Sequence, residues 1–234
     1  LAERSATLPR AIAELRRYYG RPEPPPTSDP FELVLLENVA YLATPERRRA
    51  AFLELRRGIG TRPEAILAAA PEALEAVTRR GILGAAFAEK LRACAAIALE
   101  ELEGGLDALV RGPVDRAKRA LRRFPSIAEP GAEKILLFAG AAPLLAPESN
   151  GLRVLTRLGL IREESSYGRT YAAARAAARA LPASVKSLQE AHLLLAVHGR
   201  TLCTRAAPRC EACPLASPCA YARASRRAIQ RSPK

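Results

Sequence analysis

Hydrophobic positions recur along this chain with a helical period almost from end to end, and no stretch sustains the alternation of a strand. Residues 1–20 read as one helix, with Leu8, Ile12, Leu15 and Tyr19 on one face. The run from Arg21 to Pro30 breaks the pattern with five prolines and reads as a linker. From Phe31 the period resumes. It predicts helices at about 31–43, 46–57, 63–69, 72–80, 84–103, 113–122 and 130–140, then at about 148–158, 167–180, 184–198 and 211–216. Pro45, Pro63, Pro71, Pro113, Pro125 and Pro182 punctuate this run, several where a first helical turn begins. Glycines 58, 60, 81, 84, 104 and 105 fall between helices or at their ends.

Composition strengthens the all-helical reading. Hydrophobic residues make up 49% of the 234 positions but aromatics only 5%, and the abundant residues are Ala, Leu and Arg, which favour helix. That content supports a packed core in one large domain or two modest ones. The formal charge of +13 points to a polyanionic partner, since basic side chains on phosphates release counterions. An arginine-rich proteome is the bland alternative. No apolar run is long enough to span a membrane, so no membrane partner is expected. The N-terminal residues lack an apolar signal core.

Four of the five cysteines crowd into 17 residues as Cys203-x6-Cys210-x2-Cys213-x5-Cys219. Four thiolates this close can surround one metal centre, and zinc and an iron–sulfur cluster are both chemically allowed. Zinc ribbons usually show two tight pairs; here only one pair is tight, which favours the more widely spread corners of a cubane cluster. Arg200, Arg205, Arg209, Arg223, Arg226, Arg227, Arg231 and Lys234 flank the group, against one acid, Glu211. Cys94, alone in an apolar helical stretch, reads as a small buried hydrophobe. His192 and His198 read as structural, because the cysteines already complete a site.

The cysteine spacing, preceded by His198-Gly199-Arg200, resembles the cluster loop of endonuclease III and its adenine-glycosylase relatives, the helix-hairpin-helix DNA glycosylases. The resemblance covers about residues 30–222. It implies a [4Fe–4S] cluster on Cys203, Cys210, Cys213 and Cys219. It also implies an all-α fold with a six-helix domain over 32–145, a cluster domain built from 1–31 and 146–234, and a DNA-binding cleft between them. Residues 124–139 resemble the family's hairpin, L-P-G-V-G-x-K/S-T-A. Phe124, Pro125, Ile127, Ala132 and Leu136 fit it, whereas Ser126 and Ala128 replace two glycines. The implied DNA contacts are Ser126, Ile127, Ala128, Gly131 and Lys134, where a helix N-terminus offers amides to a phosphate. Relatives that also cut the strand carry a lysine at the position of Pro130, whose amine forms a Schiff base with the sugar. Proline has no such amine, so no efficient lyase activity is expected. Lys134, one turn on, is a possible substitute or an ordinary solvated lysine.

The segment from Leu144 to Arg157 resembles the family's V-D-x-N/H-x-x-R-V pattern, with Glu148 on the aspartate, Asn150 on the Asn/His position as a further implied DNA contact, and Arg153-Val154 on the R-V pair. Glu148 is thus a candidate catalytic carboxylate; capping of the following helix is the competing role. The segment from Asp29 to Thr44 resembles the helix that opens the six-helix domain. There Leu42 takes the place of a glutamine that plugs the gap left by the flipped base, which makes Leu42 or Tyr41 an apolar wedge. Adenine-type relatives keep a catalytic glutamate in this helix, at Glu37 here, with Asn38 a second polar residue among apolar ones.

The resemblance therefore implies a monofunctional DNA glycosylase. It would act as a monomer on double-stranded DNA with a damaged, mispaired or abasic site, in the cytoplasm at the nucleoid. A non-catalytic DNA-binding or damage-recognition protein on the same scaffold is the alternative, and a zinc-bound regulator a third.

Overall fold

The computed structural model describes residues 6–40, 42–100 and 105–231; of residues 228–231 only the backbone is described. The described residues form helices joined by turns and loops and contain no strand. They form α1 Leu8–Tyr19, α2 Pro30–Asn38, α3 Pro45–Gly58, α4 Pro63–Ala68, α5 Pro71–Thr78, α6 Gly84–Glu100, α7 Gly105–Val110, α8 Val114–Leu121, α9 Glu129–Phe138, α10 Ser149–Leu158, α11 Tyr167–Ala177, α12 Val185–Thr201 and α13 Ala220–Arg231. Two single 3₁₀ turns, Ala178–Ala180 and Cys210–Ala212, complete the list. Among the described residues no helix is long and apolar enough to cross a membrane.

The local signals that start these helices are the ones the sequence carries. Prolines open α2, α3, α4 and α5 in their first turns, where a missing N–H costs nothing. Asp29, Thr44, Ser166 and Ser184 cap α2, α3, α11 and α12, each side chain accepting from an amide three residues on. Three expectations are corrected. The helix read to residue 43 ends at Asn38. The short α7 and the twelve-residue α13 were not foreseen. The helix expected near 211–216 is a single 3₁₀ turn over Cys210–Ala212.

The chain divides into two compact units, Pro25–Ala142 and Leu1–Pro24 with Pro143–Lys234. In the first, α6 packs on α4, α5 and α2, while α2 also packs on α9, α7 and α3. Its core is apolar, with Phe52, Leu55, Ile66, Leu74, Phe87 and Leu91 buried. Cys94 is buried there too, and burial pushes its thiol up to about 12, as suits an inert core residue. One charged group interrupts this core: Glu133 on α9 is 0% exposed and accepts from Lys118 of α8 at 3.0 Å, while Lys118 also pairs with Glu129. In the second unit α12 is the central helix, packed on both α10 and α1, with Leu15, Leu155, Leu194 and Leu195 fully buried. His192 lies in this core, its Nδ1 2.8 Å from the carbonyl of Ala146.

Candidate functional site

Within the unit Pro25–Ala142, α8 and α9 are joined by a tight turn that the sequence alone left in doubt. Ser126 adopts φ +63°, the left-handed conformation that glycine usually supplies. Phe124 and Ile127 are buried on either side of it and hold the turn, and Lys90 Nζ donates to Ser126 Oγ at 3.1 Å. Asn38 bolts α2 to the same turn, its Nδ2 donating to the carbonyls of Val34 and Pro125, both at 3.1 Å. Ala128 is the extended N-cap of α9 and supplies no side-chain cap; Pro130 lies in the first turn. A Cβ on Gly131 would meet only the side chain of Ile127, at 3.5 Å and 3.9 Å. The α9 N-terminus is therefore not capped by a side chain, and its first turn holds Glu129 and Pro130.

Two exposed leucines stand out in the same unit. Leu42 has φ +53° and 70% exposure, and Leu83 has φ +57° and 64% exposure. A left-handed leucine is strained, and leaving it in water gains nothing from burial, which makes both leucines candidates for a contact. Leu83 was missed in the sequence. The signal was there: Ile82-Leu83 sits between Gly81 and Gly84, two large apolar residues outside any helical register. Tyr41 lies outside the described residues.

The two remaining candidates of this unit form a pair. Lys134 Nζ donates to Glu37 Oε2 at 2.6 Å, and the Arg48 guanidinium lies 3.8 Å from the same oxygen. Lys134 is thus neither a solvated surface lysine nor a free amine at the place Pro130 vacates.

In the other unit Glu148 occupies the N-cap position of α10, yet its side chain makes no capping hydrogen bond. Its Oε1 instead accepts from Arg200 at 3.0 Å and from Asn150 Nδ2 at 3.1 Å. Asn150 Oδ1 accepts from Arg153 at 2.7 Å, and Arg153 also donates to the carbonyls of Gly199 and Cys203, at 2.7 Å and 2.8 Å. One chain of polar contacts therefore runs from the carboxylate to the first cysteine's backbone. It depends on close helix packing, because a Cβ on Gly199 would lie 2.6 Å from the Asn150 carbonyl oxygen. Tyr167, at the start of α11, is shifted above the ordinary phenol range by burial and then by the Glu148 charge.

Cys203, Cys210, Cys213 and Cys219 line a single pocket and are unbridged. Among the described residues no three His, Cys, Asp or Glu side chains are gathered tightly enough to hold one metal ion. Burial pushes the Cys213 thiol up to about 11, with the other three thiols adding to it. Arg157 anchors the loop, donating to the carbonyls of Thr204 and Arg205 at 2.7 Å and 3.0 Å, and its guanidinium lies 4.6 Å from the centre of the Tyr221 ring. His198 is spent between Tyr19 Oη at 3.0 Å and Cys213 Sγ at 3.5 Å, and burial lowers it to about 4.

An endonuclease III in non-covalent complex with DNA superposes on this chain with a TM-score of 0.76 at 20% identity, covering 94% of this chain and 97% of that one. The chain has the endonuclease III fold. A thermostable thymine-DNA glycosylase shares the fold at a TM-score of 0.73 and 15% identity, over 93% and 97% of the two chains. The 8-oxoguanine DNA glycosylase of Thermotoga maritima does so at 0.53 and 20%, over 80% and 86%. No family model and no curated protein matches the sequence. Within the endonuclease III fold, α8, the Ser126 turn and α9 form the helix-hairpin-helix.

Proposed function

We propose that this protein is a monofunctional DNA glycosylase that hydrolyses the N-glycosidic bond of a damaged or mispaired base, with little lyase activity. The observation that carries this reading is the state of Glu148. A residue that merely capped α10 would bond to its amides; this carboxylate makes no capping hydrogen bond and is held by Arg200 and Asn150. A carboxylate fixed in this way can stabilise the oxocarbenium-like sugar or orient the attacking water. Pro130 offers no amine for a Schiff base, and Lys134 is engaged by Glu37, so water is the nucleophile. The hairpin, Gly131 and the α9 N-terminus would grip a phosphate, with Ser126, Ile127 and Ala128 shaping the turn. Leu42 and Leu83 would fill the space left by an extruded nucleotide.

The cysteine pocket fits a [4Fe–4S] cluster better than a mononuclear zinc: four unbridged thiols surround it without gathering around one point. Cys203, Cys210, Cys213 and Cys219 would hold the cluster, which would supply a rigid crosslink and one-electron chemistry. Iron and sulfide analysis, with a brown colour lost in Cys213→Ser, checks this assignment.

A second reading, a non-catalytic damage-recognition protein, is favoured by the Arg200 guanidinium that neutralises Glu148. The deciding experiment is a screen of duplexes carrying uracil, oxidised, alkylated and mismatched bases, developed with and without alkali. Base release leaving an intact strand until alkali is added, and abolished in Glu148→Gln, supports the glycosylase. Tight binding to abasic or mismatched duplex with no release selects the second reading.

A further inference from the structure

Tyr19, the last residue of α1, and His198, in the last turn of α12, meet at the cysteine pocket. His198 is 2% exposed, and each of its ring nitrogens has a partner: Nδ1 lies 3.0 Å from Tyr19 Oη, and Nε2 lies 3.5 Å from Cys213 Sγ. The backbone of His198 is tied to the same loop, its carbonyl accepting from the Cys203 amide at 2.9 Å. Tyr19 Oη also lies 2.9 Å from Thr201 Oγ1, whose hydroxyl is in turn 2.9 Å from the Val197 carbonyl. A row of polar contacts therefore leads from α1 through one imidazole to one cysteine sulfur.

The direction of each bond in this row follows from the sulfur. A cysteine that serves as a cluster ligand is a thiolate and has only lone pairs to offer, so a hydrogen bond between Cys213 and His198 uses a proton on Nε2. A buried imidazole, being neutral, has one N–H to place. Nδ1 is then a bare acceptor, and the Tyr19 hydroxyl faces it as donor. With the phenol proton so used, the Thr201 hydroxyl donates to Tyr19 Oη. Resting on the cluster assignment above, we infer that His198 donates its Nε2–H to the Cys213 sulfur, that Tyr19 fixes the tautomer able to do so, and that the pair thereby raises the reduction potential of the cluster. An N–H aimed at a ligand sulfur stabilises the reduced state, which carries more negative charge, over the oxidised one. His198 touches a cluster ligand; Tyr19 acts through His198 and is a positioning residue. The first helix of the chain is thus part of what sets the electronic state of a cofactor held some 190 residues further on.

The test is protein-film voltammetry of the full chain carrying its cluster, with iron and sulfide analysis of every preparation. His198→Phe removes the donor and is expected to shift the equilibrium toward the oxidised state about tenfold, which for one electron is a fall of about 59 mV. His198→Gln, whose side-chain amide can donate to sulfur, recovers part of that shift. Tyr19→Phe leaves His198 and the four cysteines in place and removes only the donor to Nδ1, so the potential falls in the same direction by a smaller amount. A packing role alone would lower cluster content or the unfolding midpoint and leave the potential of the loaded protein where it was. NMR of ¹⁵N-labelled histidine reads the tautomer directly, with His198 expected as the Nε2–H form in the wild type. A His198→Phe potential equal to that of the wild type, or a His198 signal in the Nδ1–H form, overturns the inference and leaves the cluster standing. If His198→Phe does not retain iron, Tyr19→Phe decides, and an unchanged potential there overturns the inference. A wild type without iron and sulfide overturns the cluster assignment and the inference together.

Discussion

Replacing Gly199 by alanine tests whether packing between α10 and α12 sets the position of Glu148. Gly199 lies inside α12, and in an unobstructed helix interior glycine to alanine stabilises by about 1 kcal/mol. Here the new Cβ would fall 2.6 Å from the Asn150 carbonyl oxygen, 2.7 Å from its Cβ and 2.8 Å from its carbonyl carbon. The first of these is about 0.8 Å short of an ordinary contact, and two of the three atoms are backbone, so no flexible side-chain end can yield. The helices must part, and overpacking of this kind costs about 1–3 kcal/mol, enough to reverse the sign expected from helix propensity. The same displacement moves Asn150 and Arg200, the two partners of Glu148, and a shift of about 1 Å at a reacting group costs about 100-fold in rate. Denaturant titration and single-turnover base release measure the two effects, with Gly151→Ala as the control. There the added Cβ meets only side-chain atoms, of Pro147 at 3.2 Å and Leu195 at 3.5 Å. A Gly199→Ala protein as stable as the wild type, or one that loses no more activity than Gly151→Ala, refutes the reasoning.

Gly131→Ala should leave the denaturation midpoint unchanged or raised, because its Cβ meets only the side chain of Ile127, while weakening salt-sensitive duplex binding measured by fluorescence anisotropy. Lys118→Met removes the cation that pairs with the fully buried Glu133 carboxylate and with Glu129, and should cost about 3–5 kcal/mol in urea unfolding; a loss under 1 kcal/mol would show that the pair is dispensable. Glu32 is desolvated, which alone would raise it, but hydrogen bonds from Thr27, Thr61 and Arg56 prevail and hold it below the ordinary carboxylate range. Its contribution is therefore complete above the unfolded value of about 4.3 and lost as the pH falls through the lower folded value, so Glu32→Gln should flatten the acid limb of a stability-versus-pH curve.

The helices were legible wherever apolar residues recur over three turns or more, as in α3, α6, α10 and α12. Where they fail to recur, the reading stopped short. The six-residue α7 buries only Leu106 and Val110 and is too brief to show a period. The arginines of α13 looked like a loop flanking the cysteines, because the helix carries few apolar residues; Tyr221 is half exposed and faces the Arg157 guanidinium. The cysteines were legible for a different reason: four thiols at close spacing have few chemical uses, and they do line one pocket. The partners of the acids were not. Arg200 lies 52 residues from Glu148, and Lys134 lies 97 from Glu37, and nothing local to either acid announces its cation.

Departures from the glycosylase pattern differ in kind, and the structure separates them. Replacing a hairpin glycine by Ser126 is a conformational departure. It is absorbed: the residue keeps φ +63° because Phe124 and Ile127 are buried around it and Asn38 and Lys90 tie the turn from outside. Tertiary contacts of this number can offset the 1–2 kcal/mol or so that a left-handed residue costs. Pro130 is a chemical departure, and no arrangement of neighbours gives a proline ring an amine. Lys134, one turn along α9, is bonded to Glu37 and offers no free amine in its place. Scaffold tolerance therefore covers backbone conformation and not functional groups: the turn keeps its left-handed residue without a glycine, while nothing around Pro130 restores an amine.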